Sequence, residues 1–378
     1  MDSPASGKNI DPQKKPDPRS ILIIKLSAIG DVVQTFPMVE ALRDRYPQAQ
    51  IDWLVEEGSS DLLMGHPALN RVIVSRRKSW LKRLFLKGEF WATLKEVKQL
   101  VSDLRDTKYD WVIDNHGLFK SGLFVFLSRG VRKIGFKLSA GIADEGNYLF
   151  THERYKPLSI ERHALERYLD LIYQMGVPTG KPTLRYAVSP ESLKIAERLI
   201  TENGFLSHPL VIIHPMARWS SKQWPIKNFI MLSDALIQKG ASVILTGSPE
   251  DKDILHEIQD STHNPQKVLN LSGRTNLKDL AGLFSLADLV LTTDTGPMHL
   301  AAAVKAPLIA LFGPTAPWRT GPYGNDPLVL RKELACSPCF KRNCPTMECM
   351  NSLTMEEVLE AVEFKLKGVE GSRIQGVK

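Results

Sequence analysis

Apolar runs that end in small-residue turns and pass directly into helix-spaced apolar residues recur along this chain. They confine it to one kind of architecture. In residues 20–46, SILIIKLSAIGDVVQTFPMVEALRDRY, an apolar run over 21–26 reads as a buried parallel strand. It breaks at Ser27-Ala28-Ile29-Gly30-Asp31, and Val32, Val33, Phe36, Val39 and Leu42 follow at helical spacing. That order places the turn at the carboxyl end of a sheet strand, where open α/β sheets hold ligands. Gly30 admits close approach of another backbone or a substrate. Asp31 stands at the mouth of the helix, either as a cap worth about 0.5–2 kcal/mol or with its carboxylate free to act outward. The turn lacks G-x-G-x-x-G, so it offers little support for a nicotinamide or flavin site.

The pattern repeats. Strands are expected over 51–55, 72–74, 111–114 and 133–136, then over 210–214, 242–246, 289–292 and 308–312. Helices are expected over 163–175, 226–239, 251–260, 276–286 and 297–304, and a closing helix over 354–367 opens on the capping-box sequence Thr354-Met355-Glu356-Glu357. Alternating strands and helices imply parallel sheets covered on both faces. The 378 residues suffice for two such domains, and residues 182–190 read as the crossing between them. The expected layout is a tail over 1–19, a first domain over 20–184 and a second over 185–353, with a cleft between the two.

Composition narrows the class. With 43% apolar and 24% charged residues and no apolar run near ~18 residues, the chain reads as soluble and globular. Residues 1–19 lack the apolar core of a secretory signal and read as a disordered tail, so a cytoplasmic location is expected. A net charge of +7 favours anionic partners. Residues 76–91, RRKSWLKRLFLKGEFW, alternate basic and bulky apolar residues. They read either as an ordinary helix packed on its apolar side or as a helix lying on an anionic membrane. In the second reading Trp80, Leu84, Phe85 and Trp91 dip in, with Arg77, Lys82, Arg83 and Lys87 on phosphates.

Three loops of the second half share one layout, strand to loop to helix: residues 214–225, 246–250 and 292–299. Helix starts are ready anion sites. Thr295, Gly296 and the amides after them suit a diphosphate, with Lys222 adding a full positive charge. Together these loops point to a nucleotide or nucleotide-sugar site. The only D-x-D, Asp251-Lys252-Asp253, falls on a helix and makes a poor metal clamp. Cys336, Cys339, Cys344 and Cys349 have a spacing that admits a zinc site, with ordinary reduced thiols the alternative.

At this point the chain resembles the lipopolysaccharide heptosyltransferases of glycosyltransferase family 9. The resemblance lies in KLSAIGDVVQTFP, NHGLFKSG, the Lys222-Gln-Trp-Pro segment, TTDTGPMHLAAA, LFGPT and CSPCFKRNCP. It implies a GT-B architecture of two Rossmann-like, doubly wound parallel-sheet domains, acceptor on the first and donor on the second. The helix over 354–367 would pack back on the first. It further implies Asp31 as general base and Lys222 as the group that stabilises charge on the leaving diphosphate. Arg218, Ser221, Glu250, Asp294, Thr295, Gly296 and His299 would serve the donor, and Ser27, Gly30, His116, Lys120 and Ser121 the acceptor.

Two positions depart from the family pattern: Ala217-Arg218 where hydroxyl residues are common, and His116 where glutamine is frequent. The expected reaction is inverting transfer of heptose from ADP-heptose to the Kdo–lipid A inner core, with no cofactor. The protein is expected to be a monomer touching the inner face of the cytoplasmic membrane, without a nucleic-acid partner. The opening motif is similar to type I enzymes, which add the first heptose, and the cysteine-rich tail to type II. The rivals are transfer of another nucleotide-activated sugar and a nucleotide-sugar-binding protein in which Asp31 only caps a helix.

Overall fold

The structure is a computed structural model. It describes residues 16–86, 88–139, 141–142, 145–205, 209–324 and 326–375, so most of the expected tail lies outside the described residues. The front lobe holds strands β1 (Ser20–Ile24), β2 (Gln50–Glu56), β3 (Arg71–Ser75), β4 (Lys108–Asp114), β5 (Arg129–Phe136) and β6 (Glu153–Tyr155). The rear lobe holds β7 (Leu210–His214), β8 (Ser242–Leu245), β9 (Val268–Asn270), β10 (Leu289–Thr293), β11 (Leu308–Phe312) and β12 (Leu328–Arg331). Strand order is β3-β2-β1-β4-β5-β6 in one sheet and β12-β11-β10-β7-β8-β9 in the other, and every pairing is parallel. Counted within its own lobe, each sheet has the same doubly wound order, reversing direction between its first and fourth strands. That reversal opens a crevice at the carboxyl ends of β1 and β4, and another at β7 and β10.

Burial on both faces explains the unbroken apolar strands. Every residue of β7, β10 and β11 is buried. One buried apolar cluster runs through both lobes, from Ile21, Phe36 and Leu165 to Met298, Leu300 and Phe312. Polar ties cross with it: Arg185 to Glu40 at 3.1 Å, the Lys278 amide to Asp61 at 3.1 Å, and the Trp318 indole to Glu161 at 2.8 Å.

The expected basic helix is a hairpin. Gly88, at φ +62°, separates the helices Arg77–Leu86 and Phe90–Arg105. The closing helix spans Met355–Gln375 and has the expected capping box, with Thr354 and Glu357 exchanging backbone-to-side-chain bonds of 2.9 and 3.3 Å. Its placement corrects the expectation. Val358, Ala361 and Val362 pack in the rear-lobe core with Trp224, Phe229 and Leu232, which holds the helix on the lobe that precedes it in sequence. Among the described residues, no helix is long and apolar enough to cross a membrane.

Candidate active site

The two crevices face each other across a cavity of about 520 Å³. Ser27, Ala28, Ile29 and Asp31 line it from the end of β1, and Arg218, Trp219 and Lys222 from the loop after β7. Asp294, Thr295, Gly296 and Pro297 close it from the loop after β10.

Asp31 lies in the short helix Ile29–Val33, its side chain 40% exposed toward the cavity. The Ala28 amide donates to Oδ2 at 3.1 Å and the Tyr168 hydroxyl to Oδ1 at 2.6 Å. Lys25 Nζ stands 4.0 Å from Oδ1. Burial pushes the carboxyl upward, but the Lys25 ammonium, the Tyr168 hydroxyl and the Ala28 amide outweigh it and hold the pKa below the usual carboxylate value. Asp31 is therefore an ionised carboxylate with one face open. Lys25 is buried, donates to the Asn115 carbonyl at 3.0 Å and lies 3.7 Å from the centre of the Tyr168 ring. Burial lowers it to about 8 against the pull of Asp31 and Asp114. Lys25 sits inside the run read as a plain strand and was not foreseen; a lone cation at the end of a buried strand was the available signal.

In the rear lobe, Lys222 Nζ rests 2.6 Å from Asp294 Oδ2 and 4.5 Å from the centre of the Trp219 ring. Thr315 donates to the same Asp294 oxygen. The helix Gly296–Ala303 opens on Thr295 with Pro297 in its first turn, where no amide is needed. Arg218 is exposed at the rim, a position from which a guanidinium can grip phosphate.

Several expected site residues have other duties. His299 is buried and does not line the cavity; Gln34 Nε2 lies 3.1 Å from its Nδ1, and burial lowers its pKa to about 4. Gly30 is covered by that ring: a Cβ there would stand 2.4 Å from His299 Cδ2. Gly296 does the same for the front lobe, where an added Cβ would meet Ile29 Cβ at 2.7 Å. The two glycines thus let the helix starts interlock.

Ser221 is buried, and its hydroxyl donates to the Lys341 carbonyl at 2.7 Å, tying the Lys222 turn to the cysteine-bearing segment. Glu250 is exposed and outside the cavity lining. Ser121 is buried, donating to Asp114 at 3.1 Å, and Asp114 also accepts the His116 and Gly117 amides. These bonds shape the turn after β4. His116 lies behind the cavity, where burial, then Lys25 and Lys120, lower its pKa to about 3.

Lys120 reaches Ser27 Oγ at 3.2 Å and Glu56 at 3.6 Å. Glu56, buried at the end of β2, also pairs with Arg77 at 3.1 Å and Lys78 at 2.9 Å. Glu56 and Lys78, with Ser75, Arg76 and Ser79, form the cavity's remaining polar wall, and Lys120 and Arg77 support it from outside the lining. The rule that flagged Asp31 would have found that wall, because Glu56 and Ser75 end the apolar runs of β2 and β3.

The membrane reading of residues 76–91 changes in detail. Trp80 is only 8% exposed and donates to Glu96 at 2.8 Å, and Arg83 pairs with Glu96 at 2.7 Å, because the hairpin closes on itself. Trp91 is 79% exposed. The side chains of Phe85 and Lys87 lie outside what is described. The four cysteines carry free thiols, Cys336 exposed, Cys339 and Cys344 half-buried and Cys349 buried. Among the described residues, no three His, Cys, Asp or Glu side chains gather as a metal cluster.

Two Rossmann-like lobes that bring paired crevices together over one cavity define the GT-B architecture. Comparison with known proteins agrees: the model of glycosyltransferase family 9 (heptosyltransferase) matches residues 97–350, and the chain belongs to that family. Lipopolysaccharide heptosyltransferase 1 of Pseudomonas aeruginosa is 32% identical over 336 residues, 87% of this chain and 89% of that protein. The E. coli heptosyltransferase WaaC with ADP superposes at TM-score 0.74 with 26% identity, over 92% of this chain and 99% of that one. E. coli ADP-heptose LPS heptosyltransferase II gives 0.73 at 25% identity, over 93% and 99%.

Proposed function

We propose that this enzyme transfers heptose from ADP-heptose to the Kdo–lipid A inner core of lipopolysaccharide, adding the first heptose with inversion at the anomeric carbon. The observation that carries the reading is the shared cavity: an ionised Asp31 from one lobe and a Lys222–Asp294 pair from the other line the same space.

The acceptor hydroxyl attacks the anomeric carbon as its proton passes to Asp31, and the bond to the diphosphate breaks on the opposite face. A carboxylate is a weak base for an alcohol, so it takes the proton as the hydroxyl acidifies in the transition state, a contribution of ~10²–10⁴-fold. The arriving diphosphate competes with Asp294 for the Lys222 ammonium. Thr315 keeps Asp294 hydrogen-bonded when Lys222 turns to phosphate. Lys222 and the amides at the start of the helix Gly296–Ala303 then take up the charge on departing ADP. On the front wall, Arg76 and Lys78 offer cations to an acidic acceptor, with Lys120 backing Ser27 and Glu56. A lipid-anchored acceptor implies that the protein works at the inner face of the cytoplasmic membrane, and its mode of contact there is peripheral.

The test is ADP release from ADP-heptose with Kdo₂-lipid A, with the same acceptor already carrying one heptose, and with none. The expected result is release only with the unsubstituted acceptor and a product of inverted anomeric configuration by NMR. Preference for the heptosylated acceptor would make this a type II enzyme, a reading the cysteine-rich segment favours. Acceptor-independent donor binding without turnover would leave a sugar-nucleotide-binding protein.

A further inference from the structure

The front lobe carries an aromatic face that the transfer chemistry leaves unused. On the helix Phe119–Leu127, residues Ser121, Gly122, Phe124 and Val125 turn inward, while Phe119, Leu123 and Phe126 turn out. Phe119 is 52% and Phe126 63% exposed. Both rings meet Phe150 nearly edge-on, with centroids 5.6 and 6.2 Å away. Leu149, 68% exposed, extends the patch: a Cβ on Gly146 would lie 3.8 Å from the Phe119 ring and 4.0 Å from Leu149. A contiguous exposed apolar patch marks an interaction surface, unlike scattered single residues.

Its position and its charges identify the occupant. Crossover helices of a parallel sheet begin at the carboxyl edge, so Phe119 stands at the sheet edge that carries the cavity, next in the chain to the Lys120 that reaches the cavity-lining Ser27. The neighbouring helix Phe90–Arg105 begins at the same edge with exposed Phe90 and Trp91. Cations gather at the far end of the helix: Arg105 donates to the Leu127 carbonyl at 3.2 Å, Arg129 to the Arg105 carbonyl at 3.2 Å, and Lys133 to the Phe126 carbonyl at 3.4 Å.

We propose that this face seats the front lobe on an anionic bilayer. Phe119, Leu123, Phe126 and Leu149 enter the headgroup boundary, and Arg105, Arg129 and Lys133 pair with lipid phosphates. The proposal rests on the lipid-anchored acceptor of the reading above and names the surface that brings the cavity to it.

Flotation of the full chain with vesicles of phosphatidylcholine, with and without phosphatidylglycerol, tests it. A Phe126→Ser/Leu149→Ser variant is expected to lower the bound fraction about tenfold, and Arg129→Glu to lower it only on anionic vesicles. Phe364→Ser, an exposed apolar position on the closing helix of the rear lobe, should change nothing. With a water-soluble deacylated acceptor all variants should turn over like wild type, whereas turnover of vesicle-embedded acceptor should fall with binding. Equal flotation of the double variant and wild type would overturn the proposal. So would a wild-type dimer that the double variant dissociates, since the face would then join two copies. Should the double variant misfold, equal flotation of Arg129→Glu and wild type on anionic vesicles overturns it alone. Loss of turnover on every acceptor in wild type would remove the transferase reading and leave the flotation result standing.

Discussion

Asp31 accepts the Ala28 amide on one oxygen and the Tyr168 hydroxyl on the other, and Lys25 supplies the nearest positive charge. All three favour the charged carboxylate, so removing any one raises its pKa. Tyr168→Phe is expected to move the acidic limb of the kcat/KM profile upward by up to about one pH unit. ADP-heptose affinity should not change, because Tyr168 does not line the cavity. An unmoved limb would show that the hydroxyl does not tune the base. What could be read from sequence at this scale follows from chain proximity. Asp31, Lys222 and Asp294 sit in turns whose neighbours announce them. Tyr168 lies 137 residues from Asp31, and only the fold makes them partners. The same limit applies to His299, a donor contact by resemblance and by its residue type equally a partly buried histidine that caps its surroundings: only the fold shows its ring against Gln34 and Gly30.

The helices Ile29–Val33 and Gly296–Ala303 meet start to start, each yielding space to the other through a glycine. Gly30→Ala should force His299 aside, because 2.4 Å is far inside any carbon–carbon contact. The expected outcome is a lower Tm and a loss of roughly tenfold or more in kcat/KM as the lobes are wedged apart. His299→Ala in the same chain should restore part of both. Failure of that rescue would place the strain elsewhere. The turn bearing Lys222 hangs on Lys341 and Arg342 through Ser221, whose hydroxyl and amide meet their carbonyls at 2.7 and 3.3 Å. Ser221→Ala should cost about 0.5–1.5 kcal/mol, by removing a part-buried hydrogen bond, and weaken ADP affinity in calorimetry. The resemblance places Ser221 with the donor. The structure uses it one layer behind.

Across the molecule, burial holds His66, His214 and His299 neutral, with pKa lowered to about 4, and His116 to about 3. An unfolded chain takes up those protons near pH 6.5, so between that pH and about 4 the unfolded state binds more protons and stability falls as pH falls. Each such proton is worth about 1.4 kcal/mol per pH unit. Asp114, raised by burial, offsets a part. Melting by circular dichroism should therefore give a clearly lower Tm at pH 5 than at pH 7.5; an equal Tm would contradict the burial of these rings. At this scale the sequence was most informative, since the five-residue runs of β7 and β11 are buried on both faces and leave no alternative to a parallel sheet. The short edge strands β6, β9 and β12 carry too little pattern to be read from sequence, because each has only three or four residues, half-buried in β6 and β12 and buried in β9. The closing helix was assigned to the front lobe by resemblance, while its own apolar face fits the rear core.

The proposed transfer requires Asp31 to act as a base across the cavity from Lys222 and Asp294. Its most direct test is acceptor-dependent ADP release by Asp31→Asn, with ADP-heptose affinity measured on the same preparation. Release is expected to fall ~10²–10⁴-fold while donor affinity stays within about twofold of wild type. Release at the wild-type rate, or donor affinity lost together with turnover, would contradict it.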